Sequence, residues 1–137
     1  MRSYEATSFI QASPELVWPL LTDAAAWPHW DSGVAKVDGR VALGEKIAVT
    51  VAANPGRAFP VTVVQLNAPE RMVFSGGMPL GLFTGTRTYT LAPEGTGTRF
   101  TMREEYTGPL AGMMFRSIPD LGPSFRQFAE GLKRRAE

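Results

Sequence analysis

The chain has 137 residues, 44% hydrophobic and 20% charged, and its 14 Lys and Arg against 13 Asp and Glu leave a net charge of +1. That is the composition of one globular domain, 1–137, long enough to bury a core without a staple, and it lacks the basic excess of a nucleic-acid or membrane-surface protein. With no cysteine and a single histidine, His29, disulfide frameworks, thiol nucleophiles, zinc-thiolate sites and multi-histidine metal sites are all excluded.

Residues 3–11 read as a strand. Ser13, Pro14 and Glu15 open a helix as N-cap, first helical position and first-turn acid, with Leu16, Val17, Leu20 and Leu21 on one apolar face. Pro19 in its second turn is expected to kink or shorten it. Asp23 begins a second short helical piece, Ala24 to Trp27, stopped by Pro28. From Gly33 the signals turn to β: strands over 34–38, 45–53, 58–67 (Pro60 near its edge or start) and 71–75, then a loop from Gly76 to Gly81. Strands 83–92 and 97–107 form a hairpin around Pro93-Glu94-Gly95-Thr96. Leu110 to Ser117 reads as helical, with a break around Pro119 and Pro123. Leu121, Phe125, Phe128 and Leu132, spaced four, three and four apart, then mark one stripe of a final helix ending near Arg135. Without βαβ alternation the sheet should be antiparallel in an α+β layout. No apolar run reaches membrane-spanning length, and Met1 to Glu5 carries no apolar signal core, so a cytoplasmic protein is expected.

That element order is accompanied by Ala12-Ser13-Pro14-Glu15-Leu16-Val17-Trp18, Leu21-Thr22-Asp23, Trp27-Pro28-His29-Trp30, Gly97-Thr98-Arg99-Phe100-Thr101 and Glu104-Glu105-Tyr106-Thr107-Gly108. Together these resemble the START-like (SRPBCC) superfamily of polyketide cyclases/dehydrases, birch-pollen-allergen proteins and lipid-transfer domains. The likeness covers essentially the whole chain. It implies a helix-grip fold: a curved antiparallel sheet of six to seven strands around a long C-terminal helix, two short helices after the first strand, and a cavity between sheet and helix. It also implies chemistry, where there is any, without metal or cofactor.

Alternation on the last strand puts Phe100, Met102, Glu104 and Tyr106 on one face and Thr101, Arg103 and Glu105 on the other. The first set is apolar except for Glu104 and should face the helix. A four-residue loop at 93–96 would pair Tyr89 with Phe100 and Arg87 with Met102, turning both inward and leaving Arg87 diagonal to Glu104. The expected ligand-facing set is therefore Tyr4, Arg87, Tyr89, Phe100, Met102, Glu104, Tyr106, Met114, Phe125 and Phe128. An Arg87–Glu104 pair among tyrosines can orient a polar ligand group or move a proton, or simply satisfy itself as a buried ion pair. Trp27 and Trp30 read as core caps rather than ligand stackers, and His29 as a surface residue. Met113-Met114-Phe115 reads equally as a lid or as helix core, and Lys133-Arg134-Arg135 as a helix end.

Three functions stay open at this point. One is binding of a small hydrophobic or aromatic molecule in the cavity, by a monomer or homodimer with no nucleic-acid partner and no membrane insertion. A second is a cofactor-independent cyclase/dehydrase using Glu104, Arg87 and a tyrosine. A third is a protein-interaction module acting through its surface.

Overall fold

The computed structural model describes residues 2–52, 54–117 and 120–137, with the side chains of Arg2 and Ser117 left aside. The expected strand end at Ala53 and the Pro119 part of the expected break lie outside the described residues. Seven strands form one sheet: β1 (Arg2–Ile10), β2 (Val34–Asp38), β3 (Lys46–Val51), β4 (Phe59–Asn67), β5 (Arg71–Met78), β6 (Phe83–Glu94) and β7 (Gly97–Thr107). Their order is β1-β7-β6-β5-β4-β3-β2, and every neighbouring pair is antiparallel. Helix α1 (Pro14–Thr22) and a 3₁₀ turn (Ala24–His29) follow β1, and α2 (Ala111–Ser117) and α3 (Gly122–Ala136) follow β7. This is the α+β helix-grip arrangement, with α3 packed across the sheet. No helix among the described residues is long and apolar enough to cross a membrane.

The local signals explain most elements. Ser13 is extended at the N-cap of α1, and Pro14 fills the first turn, where a missing N–H costs nothing. Pro19, the sixth of nine residues, does not shorten the helix, which runs to Thr22; it removes one internal donor, while its own carbonyl still accepts from the Asp23 N–H. The buried stripe is narrower than the sequence pattern: Pro14, Val17 and Leu21 are buried, while Leu16 is 67% exposed. The next turn also passes through Pro28 and ends at His29 rather than stopping before it. In α3, Phe125, Phe128 and Leu132 are buried with Ala129. Gly131 lets that helix press on the preceding loop, where an added Cβ would lie 1.9 Å from the Asp31 carbonyl oxygen.

Two turn predictions change. The β6–β7 loop has two residues, not four: Glu94 pairs with Gly97 around Gly95, at φ 59°, and Thr96. Pro93 stays in β6 because it lies in a non-hydrogen-bonded pair with Thr98 and beyond the last β5 partner of β6, so no strand asks for its missing N–H. The second change concerns the glycine-rich loop. Gly76, Gly77 and Met78 belong to β5, paired with Gly85, Thr84 and Phe83, and only Pro79–Gly81 forms a turn. Gly77, at φ 142°, would place a Cβ 2.2 Å from the Phe83 carbonyl oxygen, so the close strand approach demands glycine there.

Candidate functional site: a cavity ending in an Arg87–Glu104–Tyr106 cluster

Antiparallel pairing lines up inward side chains in rows across the sheet. Met72, Tyr89, Met102 and Ala6 form one row, and Phe74, Arg87, Glu104 and Tyr4 the next. The row after that is Gly76, Gly85 and Tyr106, followed by Met78 beside Phe83. Two neighbouring glycines thus remove the side chains from the middle of the sheet at one end. There the helix cannot fill the gap, and a cavity of about 540 Å³ remains. Its floor is Phe74, Gly76, Gly85, Arg87, Tyr89, Glu104 and Tyr106. Val34, Val49, Val51 and Val61 form one wall, Met114, Leu121 and Phe128 the helical wall, and Asn54, Arg57 and Phe59 lie on the β3–β4 side.

The corrected hairpin shifts the expected register by two residues. An even shift keeps every side chain on its face, so Arg87 and Glu104 still point inward. It also makes them direct cross-strand partners rather than diagonal ones. Arg87 Nη2 donates to Glu104 Oε2 at 3.0 Å, and the Tyr106 hydroxyl donates to the same oxygen at 2.5 Å. The two side chains are 25% and 13% exposed. The guanidinium carbon stands 4.7 Å from the centre of the Phe125 ring, a cation–π contact. Arg87 Nε is buried with no hydrogen-bond partner among the described residues.

Burial works against the Arg87 charge, yet the Glu104 carboxylate, with Tyr89, holds its pKa above the ordinary arginine value. Burial raises the Tyr89 pKa, with Arg87 opposing. Burial also raises that of Tyr106, and the neighbouring negative charge of Glu104 adds to it. Both phenols are therefore proton-bearing donors at neutral pH. The Tyr106 ring stacks on Phe83 at 5.6 Å and 7°, which holds the ring, while the hydrogen bond to Glu104 Oε2 aims the hydroxyl.

Arg87, Tyr89, Glu104, Tyr106, Met114 and Phe128 all line the cavity. Met102 and Phe125 line instead a small crevice of about 40 Å³ where α3 meets the chain entering β2 at Ser32, Gly33 and Val34. Tyr4 does not line the cavity; it stacks on Phe115 at 5.2 Å and meets Tyr106 edge-on at 6.2 Å. Phe100 is core, packed behind Tyr89 and Phe128. Trp27 is 1% exposed, donates Nε1–H to the Leu21 carbonyl and still contributes to the cavity wall. Trp30 packs on Phe128, and His29 is exposed. The methionine stretch divides: Met114 faces the cavity, and Met113 faces out, 53% exposed.

Sequence reasoning missed the valine wall of β2–β4 and the pair Gly76 and Gly85. The valines carried an alternation signal, but no short turn fixed β2–β4 against the hairpin. Gly76 read as part of a loop and Gly85 as an ordinary strand position, because nothing local separates either from a glycine that opens a sheet.

The comparisons with known proteins agree with this architecture. A START superfamily protein from Mycobacterium smegmatis superposes with a TM-score of 0.72 at 15% identity, over 98% of this chain and 96% of its own. The Aha1 dimer from Colwellia psychrerythraea gives 0.76 at 16% identity, over 100% and 97%. A crystal structure of a protein from Chromobacterium violaceum gives 0.73 at 23% identity, over 98% and 96%. At these identities the likeness establishes the fold alone. Among curated proteins no sequence matches the chain. The family model described as polyketide cyclase / dehydrase and lipid transport matches residues 1–137. By that match along its whole length, the chain belongs to the polyketide cyclase/dehydrase and lipid-transport family.

Proposed function

We propose that the protein binds a small hydrophobic or aromatic molecule in the cavity between the sheet and α3. The observation that carries this reading is the cavity itself: about 540 Å³, walled mainly by valine, phenylalanine and methionine, with one neutralised charge cluster on its floor. Ligand sites are commonly apolar hollows of this size with a few fixed polar groups that set orientation. Native mass spectrometry of the purified protein, followed by mild denaturation, tests it together with melting curves in hydrophobic and aromatic compounds. A co-purifying small molecule or a ligand-dependent rise in Tm is expected. An empty protein whose Tm no such compound moves would overturn the reading and favour the surface-interaction role.

The second reading is a cofactor-independent cyclase/dehydrase, favoured by one feature: a carboxylate, a guanidinium and a phenol meet at a single oxygen beside the cavity. There Glu104 would take a proton next to a carbonyl, Arg87 would hold the developing negative charge, and Tyr106 would return a proton. Glu104→Gln should then abolish turnover of an enolisable aromatic ketone; unchanged turnover would remove Glu104 from the chemistry. The proposed assembly is a monomer or homodimer in the cytoplasm, which light scattering and cell fractionation check.

A further inference from the structure

The cavity floor has a preference built into it. Both hydrogen bonds to Glu104 from the described residues end on Oε2, and Oε1 accepts neither. Gly85, on the adjacent strand, lines the cavity, and a Cβ built there would lie 3.6 Å from Glu104 Oε1 and 3.4 Å from the Tyr106 ring. The missing side chain is what leaves Oε1 a path to the cavity. Electrostatics narrow what can use that path. Arg87 already balances Glu104, so a ligand carboxylate placed there would bring a second negative charge with no cation left to meet it. A hydroxyl brings a donor and no charge, and a hydrogen bond to a carboxylate is among the stronger kinds. The surrounding rings, Phe74 and Phe83 with Tyr106, suit a flat apolar body behind such a group.

Resting on the cavity-binding reading above, we infer that the protein selects neutral hydroxylated aromatics over aromatic carboxylates, the ligand O–H donating to Glu104 Oε1, and that Gly85 determines this selectivity. Arg57 is the competing anchor: it lines the β3–β4 side of the cavity, its guanidinium 5.3 Å from the Phe59 ring centre, where a carboxylate would find a cation.

Calorimetric titration at pH 7 with three probes of one shape, 2-naphthol, naphthalene and 2-naphthoate, tests the inference. 2-Naphthol should bind about tenfold more tightly than either of the others. Gly85→Ala adds no contact under 3.4 Å and should fold; it should cut the ratio of 2-naphthol to naphthalene affinity, both measured in that variant, to about twofold or less. Glu104→Gln, which keeps the shape and removes the charge, should let 2-naphthoate approach the affinity of 2-naphthol. Equal binding of all three probes, or an advantage that survives Gly85→Ala, would overturn this inference and leave the cavity reading standing. Tighter binding of 2-naphthoate would overturn it too, with Arg57 as the anchor. Failure of every probe to bind would overturn both.

Discussion

The two ends of the sheet–helix interface are built from the same strands and do opposite things. At one end Trp27, Tyr89, Phe100 and Phe128 meet around α3, with ring centres 5.0 Å apart for Trp27–Phe128 and 5.8 Å for Tyr89–Phe128, and all but Phe100 also form the inner wall where the cavity stops. All four are buried, and each contributes about 2–3 kcal/mol of apolar burial. At the other end the same strands carry Gly76 and Gly85, and the rings of Phe83 and Tyr106 stand around a hollow. Residue volume, rather than strand geometry, separates a closed core from a binding cavity here. The polar cluster sits at the boundary, where Arg87 and Glu104 keep partial exposure while the aromatic end holds them in register. A cavity can be kept open only if the stability is supplied elsewhere, and the closed end supplies it.

The greatest loss of stability should follow Phe128→Ala at the closed end. It removes four ring contacts, to Trp27, Trp30, Tyr89 and Phe100, and should cost about 3–5 kcal/mol in urea unfolding. Phe83→Ala at the cavity should cost about 1 kcal/mol, since the ring is only half-buried. Comparable losses would mean that the two ends are not distinct. Next in size is Gly77→Ala. With φ at 142° and a Cβ 2.2 Å from the Phe83 oxygen, it should cost about 2–3 kcal/mol and lower Tm visibly.

Arg87→Met alone should cost about 2 kcal/mol, because Glu104 is left nearly buried without its cation. The double change Arg87→Met with Glu104→Leu should recover most of that loss, and a coupling of about 1 kcal/mol or more in a double-mutant cycle checks it. The smallest effect concerns pH. Tyr89 and Tyr106 have folded pKa values raised above the unfolded one, so both keep their protons in the native state where the unfolded chain releases them. Their contribution is fully present below about pH 10 and is lost as the pH rises above it. Tyr106→Phe should flatten the decline measured by denaturation between about pH 10 and 11; an unchanged slope would show that Tyr106 titrates normally.

Much of this was legible in the chain itself. The stripe of Phe125, Phe128 and Leu132 sets α3, and strict alternation on β7 puts Phe100, Met102, Glu104 and Tyr106 on the helix side. These are local periodicities, fixed by 3.6 residues per helical turn and two per strand repeat. The inward direction of Arg87 survived a misjudged turn because the error was an even number of residues. Less was legible where a residue type has two meanings. Pro93 and Gly76 are turn formers by composition, yet both lie in strands whose partners come from elsewhere in the chain. Leu16 fits the apolar face of α1 but points into solvent, because a short helix buries only the stripe its neighbours reach.

The antiparallel α+β order, the C-terminal helix, and the inward placement of Arg87, Glu104 and two phenols in strands β6 and β7 can be read from the chain, since each follows from spacing along a few consecutive residues. Folding in three dimensions is what sets Arg87 opposite Glu104, stands Gly76 and Gly85 side by side, and closes a wall of β2–β4 valines over them. Those are distances between residues far apart in the chain. They are set by strand pairing and by the volume left unfilled when a curved sheet meets a helix, and no local pattern encodes either.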